Sequence, residues 1–122
     1  MDDILERFVP SRKYQELYSI LGLKLLSHCI NVSQSAMSQF FLFKARVTRK
    51  SRNDRFKFLE KIAKVLIGAY NKRGVRSWFY RKRKQLNNRA PVEILKGEWR
   101  PLHPGPQKVL ALAKSISDGN AA

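Results

Sequence analysis

Acidic residues are scarce in this chain: nine Asp and Glu stand against 25 Lys and Arg in 122 residues, a net charge of +16. Cysteine is scarcer still. Cys29 is the single one, which rules out an internal disulfide and favours a reducing compartment. As a nucleophile it would need a paired base, and the adjacent His28 projects about 100° away around a helix; Cys29 therefore reads as a packed thiol. With two histidines in all, there is no HExxH, no CxxC and no Gly-rich phosphate loop, so no metal, no cofactor and no enzymatic site is expected. His103, set between prolines, reads as a loop residue as far as metal binding is concerned. No apolar run approaches the ~20 residues of a membrane span, and the opening MDDILERF has acids where a signal peptide carries Lys or Arg. A soluble, cytoplasmic protein with no membrane partner is expected. Sustained strand alternation is also missing, so the fold expected is all-α. A chain of this length buries about two thirds of its unfolded surface without staples.

What is present is positive charge, unevenly placed. Residues 1–43 carry four basic residues against four acids, residues 44–84 carry sixteen against two, and residues 85–122 carry five against three. The middle third cannot neutralise itself, and a polyanion such as nucleic acid is the natural partner.

The stretch LLSHCINVSQSAMSQFFLF, residues 25–43, is spaced like a helix-turn-helix. Leu26, Ile30, Val32, Met37 and Phe40 would point into one core from two short helices, and Ser27 lies where those helices pass closely. Asn31 suits a left-handed corner, and Ser33 suits the cap of a second helix running from about Gln34 to Phe43. Gln34, Ser35, Ser38 and Gln39 then face away from the core, where short polar side chains reach base edges in a major groove. A solvated helical hairpin is the plainer alternative.

Upstream, Met1–Val9 fits a short helix ended by Pro10. Ser11 can cap the next, where Tyr14, Leu17, Tyr18 and Leu21 form a stripe closed by Gly22. Downstream, residues 44–54 (KARVTRKSRND) lack periodicity and are expected to form a loop, laying Lys44, Arg46, Arg49, Lys50 and Arg52, with Ser33, along phosphates. A helix over about Arg55–Tyr70 should bury Phe56, Leu59, Ile62, Ala63, Leu66, Ile67 and Tyr70, widened by Phe58 and Val65. That face is broad enough to meet both neighbouring helices or a second copy of the chain. NKRG should turn the chain into a helix from Val75 to about Leu86, with Val75, Trp78, Phe79 and Leu86 inward. Arg81, Lys82, Arg83 and Lys84 are assigned to phosphate contact in preference to a nuclear signal. Pro91 suits a helix start and Gly97 a left-handed close. GEWRPLHPGP is expected to be irregular, pinned by Trp99 and Leu102, before a last helix over Gln107–Ser117.

The string VSQSAMSQF resembles the Xre-like helix-turn-helix. From about Arg55 onward the chain resembles the toxin-binding region of the MbcA/ParS/Xre antitoxin family: DRFKFLEKI, then WFYRKRKQL, NRAPVEIL, KGEW and KVLALAKSI in that order. It departs from that pattern at Ala90 and Asn88, where the family often has Ser or Thr and Gly. The resemblance implies a DNA-binding region over residues 1–52 and a helical toxin-binding and dimerisation region over 53–122. It further implies a homodimeric autorepressor that reads a palindromic operator and occludes a RES-type toxin, of a family that consumes NAD. The toxin contact would lie in the last third, with Trp99, Arg100, Leu102 and His103 as its candidate residues. Two other readings compete. One is a stand-alone phage or mobile-element regulator without a toxin. The other is a sequence-tolerant nucleic-acid-binding accessory protein that works by charge alone and binds any duplex or RNA.

Overall fold

The computed structural model of the chain describes residues 12–42 and 50–117 and is all-α. Helices α1 (Arg12–Ile30), α2 (Gln34–Leu42), α3 (Lys50–Ile67), α4 (Lys72–Tyr80), α5 (Pro91–Ile94) and α6 (Pro104–Ser117) follow in order, with a 3-10 turn at Lys84–Leu86. Among the described residues the nearest approach to a strand is an isolated antiparallel pairing of Arg83 with Arg89.

Helix α1 is two helices in line, broken at Gly22, whose φ of +82° and ψ of 166° are non-helical. That φ/ψ pair lies in a region essentially reserved for glycine, where an L side chain costs about 1–3 kcal/mol. The break frees the carbonyls of Ser19 and Ile20, and Arg76 of α4 takes both: its Nη2 donates to Ser19 at 2.9 Å and its Nε to Ile20 at 2.8 Å. A Cβ on residue 22 would sit 3.4 Å from the Arg76 guanidinium.

The core is one cluster. Leu17, Leu21, Leu26 and Ile30 of α1 meet Met37 of α2, and Phe56, Leu59, Ile62 and Leu66 of α3 continue it to Val75 and Phe79 of α4 and Val109 of α6. Ile67 and Tyr70, expected on the buried face of a helix running to Tyr70, are more than a third exposed, since α3 ends at Ile67 and Tyr70 lies in the turn beyond it. The division expected between residues 52 and 53 falls within α3.

Several expected boundaries differ. Lys50–Asp54, read as loop, is the first part of α3. A contact across the fold meets it there: the Tyr14 hydroxyl donates to Asn53 Oδ1 while the Tyr14 ring stacks on Phe56 with centroids 4.5 Å apart. The helix expected from Val75 to Leu86 starts earlier, with Asn71 Oδ1 accepting from Gly74 N–H at 2.8 Å, and ends at Tyr80. Arg81 is extended, and Asn87 and Asn88 both take positive φ. Leu86 thus enters the core from a tight loop. The last helix begins at Pro104, three residues before the expectation. Prolines in a first turn lose no hydrogen bond, so Pro104 and Pro106 fit where irregular chain was expected. Gly105 permits the close approach of α6 to α5, because a Cβ there would lie 2.8 Å from Ile94.

Candidate nucleic-acid interface

The corner between α1 and α2 follows the expected chemistry residue by residue. Asn31 has φ +67°, and its N–H bonds the Ser27 carbonyl at 3.0 Å. Ser33 Oγ accepts from Ala36 N–H at 3.0 Å, satisfying one of the first-turn donors that a helix leaves open. Ser27 is buried, with its hydroxyl donating to Lys24 O at 3.1 Å. Leu26, Ile30 and Met37 are buried, and Val32 and Phe40 pack against them.

Aromatic packing sets the pose of α2. Phe41 meets Tyr18 edge-on at 4.5 Å, and Phe40 lies 5.6 Å from Phe56. With one face of α2 committed to this cluster, Gln34, Ser35 and Gln39 are left exposed and Ser38 half-exposed. The four residues expected to read bases thus lie on the uncommitted side.

A second set of contacts, not foreseen from the sequence, buttresses the corner from behind. Arg55 is buried at 3% exposure, with Nε donating to Trp99 O at 2.9 Å and Nη1 to Ile30 O at 3.2 Å. Its Nη2 meets Glu98 Oε2 at 3.3 Å, while Glu98 Oε1 accepts from Asn31 Nδ2 at 3.2 Å. The indole N–H of Trp99 donates to Cys29 O at 2.7 Å, and His28 Nε2 donates to Val92 O at 2.8 Å. The open carbonyls at the end of α1 are therefore capped by side chains from α3 and from the loop before α6. A run such as DRFKF shows an arginine; it does not show which carbonyls that arginine will find.

Of the residues expected on phosphates, Lys44, Arg46 and Arg49 lie outside the described residues, as does the side chain of Lys50. Arg52 is half-exposed on α3; Arg81, Lys82 and Lys84 are exposed. Arg83 is different. Its guanidinium lies 4.9 Å over the Trp78 ring, and burial, followed by the charge of Arg81, lowers its pKa.

The expected partner-contact residues divide the same way. Trp99 is buried against Phe58 and is a core residue, because its indole is spent on Cys29 O. Leu102 is the opposite correction: expected to pin its loop, it is 88% exposed. Arg100 and His103 are exposed too, with Arg100 N–H donating to His103 Nδ1 at 3.2 Å. These three residues line a depression of about 700 Å³ with Lys57 and Lys61 of α3.

Among the described residues no group of three His, Cys, Asp or Glu could hold a metal ion, and no helix is long and apolar enough to cross a membrane. Burial pushes the Cys29 thiol up to about 12, which keeps it protonated and unreactive at neutral pH. Comparison with family profiles, with curated proteins and with solved structures finds no match.

Proposed function

We propose that this chain is a sequence-specific DNA-binding regulator that reads a duplex site with α2. The observation that carries the reading is the α1–α2 corner: Asn31 turns it, Ser33 caps it and the Phe40–Phe41 face holds it. Gln34, Ser35, Ser38 and Gln39 stand on the exposed side. Side-chain amides pair with adenine edges and hydroxyls with several bases in a major groove. Arg52, Arg81, Lys82 and Lys84 supply phosphate contacts that position without reading, while Arg83 is spent on the Trp78 ring.

The antitoxin reading rests on the resemblance to the MbcA/ParS/Xre family. Under it the chain is a homodimer that represses its own operon from a palindromic site and covers a RES-type toxin. The exposed Leu102, beside Arg100 and His103, is the residue set suited to a protein partner.

Titration of DNA from just upstream of the gene against a scrambled duplex, at physiological salt, tests the reading. Wild type should prefer the native site by more than about tenfold, and Gln34→Ala or Gln39→Ala should each cost about 1–3 kcal/mol of that preference while scrambled binding persists. Equal binding to both duplexes, unmoved by the substitutions, would leave charge-only binding as the function.

A further inference from the structure

The basic segment around α4 holds more than charge. Residues 70–89 contain eight Lys and Arg and no acid. Three of the eight are occupied within the fold: Lys72 donates to Ser19 Oγ, Arg76 caps the Ser19 and Ile20 carbonyls, and Arg83 stacks on Trp78. The other five, Arg73, Arg81, Lys82, Lys84 and Arg89, remain exposed. Arg73 and Arg81 stand four residues either side of Ser77, so the three share one side of the helix and its C-terminal cap.

Two shallow depressions, of about 320 and 450 Å³, both include Arg73, Ser77 and Arg81. An aromatic ring flanks each. Tyr70 borders the first and is 38% exposed; Tyr80 borders the second and is 50% exposed. Tyr70 is seated against the first turn of α4 because residue 74 is glycine: a Cβ there would come within 3.0 Å of Tyr70 Cβ. The wall behind the first depression is Trp78, whose buried Nε1 has no acceptor, and Nε of the stacked Arg83 has none either. The strip thus presents exposed cations with no carboxylate in its lining, bracketed by half-open rings.

Each component narrows the ligand. Unpaired, exposed arginines call for phosphate oxygens. A duplex would satisfy them, but its bases are stacked and paired, so Tyr70 and Tyr80 would have nothing to grip. A single strand offers both, because every unpaired base has a free π face, and stacking on an aromatic side chain tolerates any sequence. An acidic peptide would match the charge without using the rings.

We propose that the Tyr70–Arg81 strip binds single-stranded nucleic acid, with backbone phosphates between Arg73, Ser77 and Arg81 and bases stacked on Tyr70 and Tyr80. This site lies apart from the Gln34–Gln39 face, shares only Arg81 with the duplex phosphate contacts proposed above, and does not depend on base reading by α2.

The test uses the full chain at physiological salt with four labelled probes: oligothymidylate and oligouridylate of about twelve nucleotides, an abasic deoxyribose-phosphate strand of the same length, and an unrelated duplex. The base-bearing strands should bind at least about tenfold tighter than the abasic one, and Tyr70→Ala or Tyr80→Ala should each weaken them about fivefold or more. Tyr80→Phe should retain binding, since stacking needs the ring and not the hydroxyl. Arg73→Ala and Arg81→Ala should weaken base-bearing and abasic strands together. The double substitution Gln34→Ala, Gln39→Ala should leave oligothymidylate binding unchanged whatever it does to the duplex. No binding to either base-bearing strand, abasic binding equal to that of oligothymidylate, or indifference to the tyrosine substitutions would overturn the proposal. The abasic comparison uses wild type alone, so it stands even if a variant fails to fold.

Discussion

Arg55 puts a full charge into a nearly dry site, which costs several kcal/mol unless its donors find acceptors. They find two backbone carbonyls, of Trp99 and Ile30, and one carboxylate oxygen of Glu98. The two ends of that ion pair are unequal, since the Glu98 side chain is 83% exposed. Water screens Glu98, so Glu98→Gln should cost less than about 1 kcal/mol. Arg55→Met should cost about 2–4 kcal/mol, because it strands the buried carbonyls. Urea unfolding of the two variants checks the contrast, and equal losses would place the stability in the ion pair instead. Cys29 makes a residue-scale prediction in pH. Burial raises its pKa in the folded state from 9.0 to about 12, so the protonated thiol is favoured by folding. The associated stability is complete below pH 9.0 and is lost as pH rises from there to about 12, where the unfolded thiol has ionised and the folded one has not. Unfolding midpoints should therefore fall through that window, and Cys29→Ala should flatten the fall.

At the scale of elements, the two breaks that shape the N-terminal half are Gly22 and Asn31, both at positive φ. Gly22→Ala should destabilise by about 1–3 kcal/mol from backbone strain. Ser33→Ala should cost about 1 kcal/mol, and as a capping loss it should also lower the helicity of a peptide spanning α2. Thermal unfolding and circular dichroism check both. Gly22, Asn31 and Ser33 were legible because each answers to local chemistry: a left-handed residue or a hydroxyl at a helix start. The ends of α3, α4 and α6 were not. Periodicity from Val75 to Leu86 is compatible with one helix, and the paired asparagines after Leu86 decide for a loop only in combination with the Arg83–Arg89 pairing. Likewise Lys50–Asp54 has no apolar pattern, and the contact that Asn53 makes with Tyr14, 39 residues away, is not visible in its own sequence.

For the whole molecule, a net charge of +16 makes any nucleic-acid affinity steeply dependent on salt. Each phosphate contact removed from a duplex complex should reduce the slope of log K against log salt by about 0.9. Lys82 and Lys84 are exposed, so the double alanine variant should lower that slope by about 1.8 and weaken native and scrambled duplexes alike. A change in preference between the two duplexes would instead assign these lysines to base reading. The candidate base-reading face was visible in outline, since Gln34, Ser35, Ser38 and Gln39 lie off the apolar stripe. What holds that face in place was not, because Arg55, Glu98 and Trp99 meet the end of α1 from 25 to 70 residues away.

The sequence alone determined the all-α class, the left-handed corner at Asn31 with its Ser33 cap, the inward stripe of α1 and the concentration of positive charge in the middle third. All of these follow from interactions within a few residues or from composition. Tertiary structure decided which cations are free and which are spent. Arg55 is sealed inside, Arg76 caps a broken helix and Arg83 lies on Trp78, while Arg73 and Arg81 stay open. The five arginines look alike in the chain. They differ because a guanidinium goes wherever carbonyls or aromatic faces are left without partners, and those vacancies exist only once distant helices have packed.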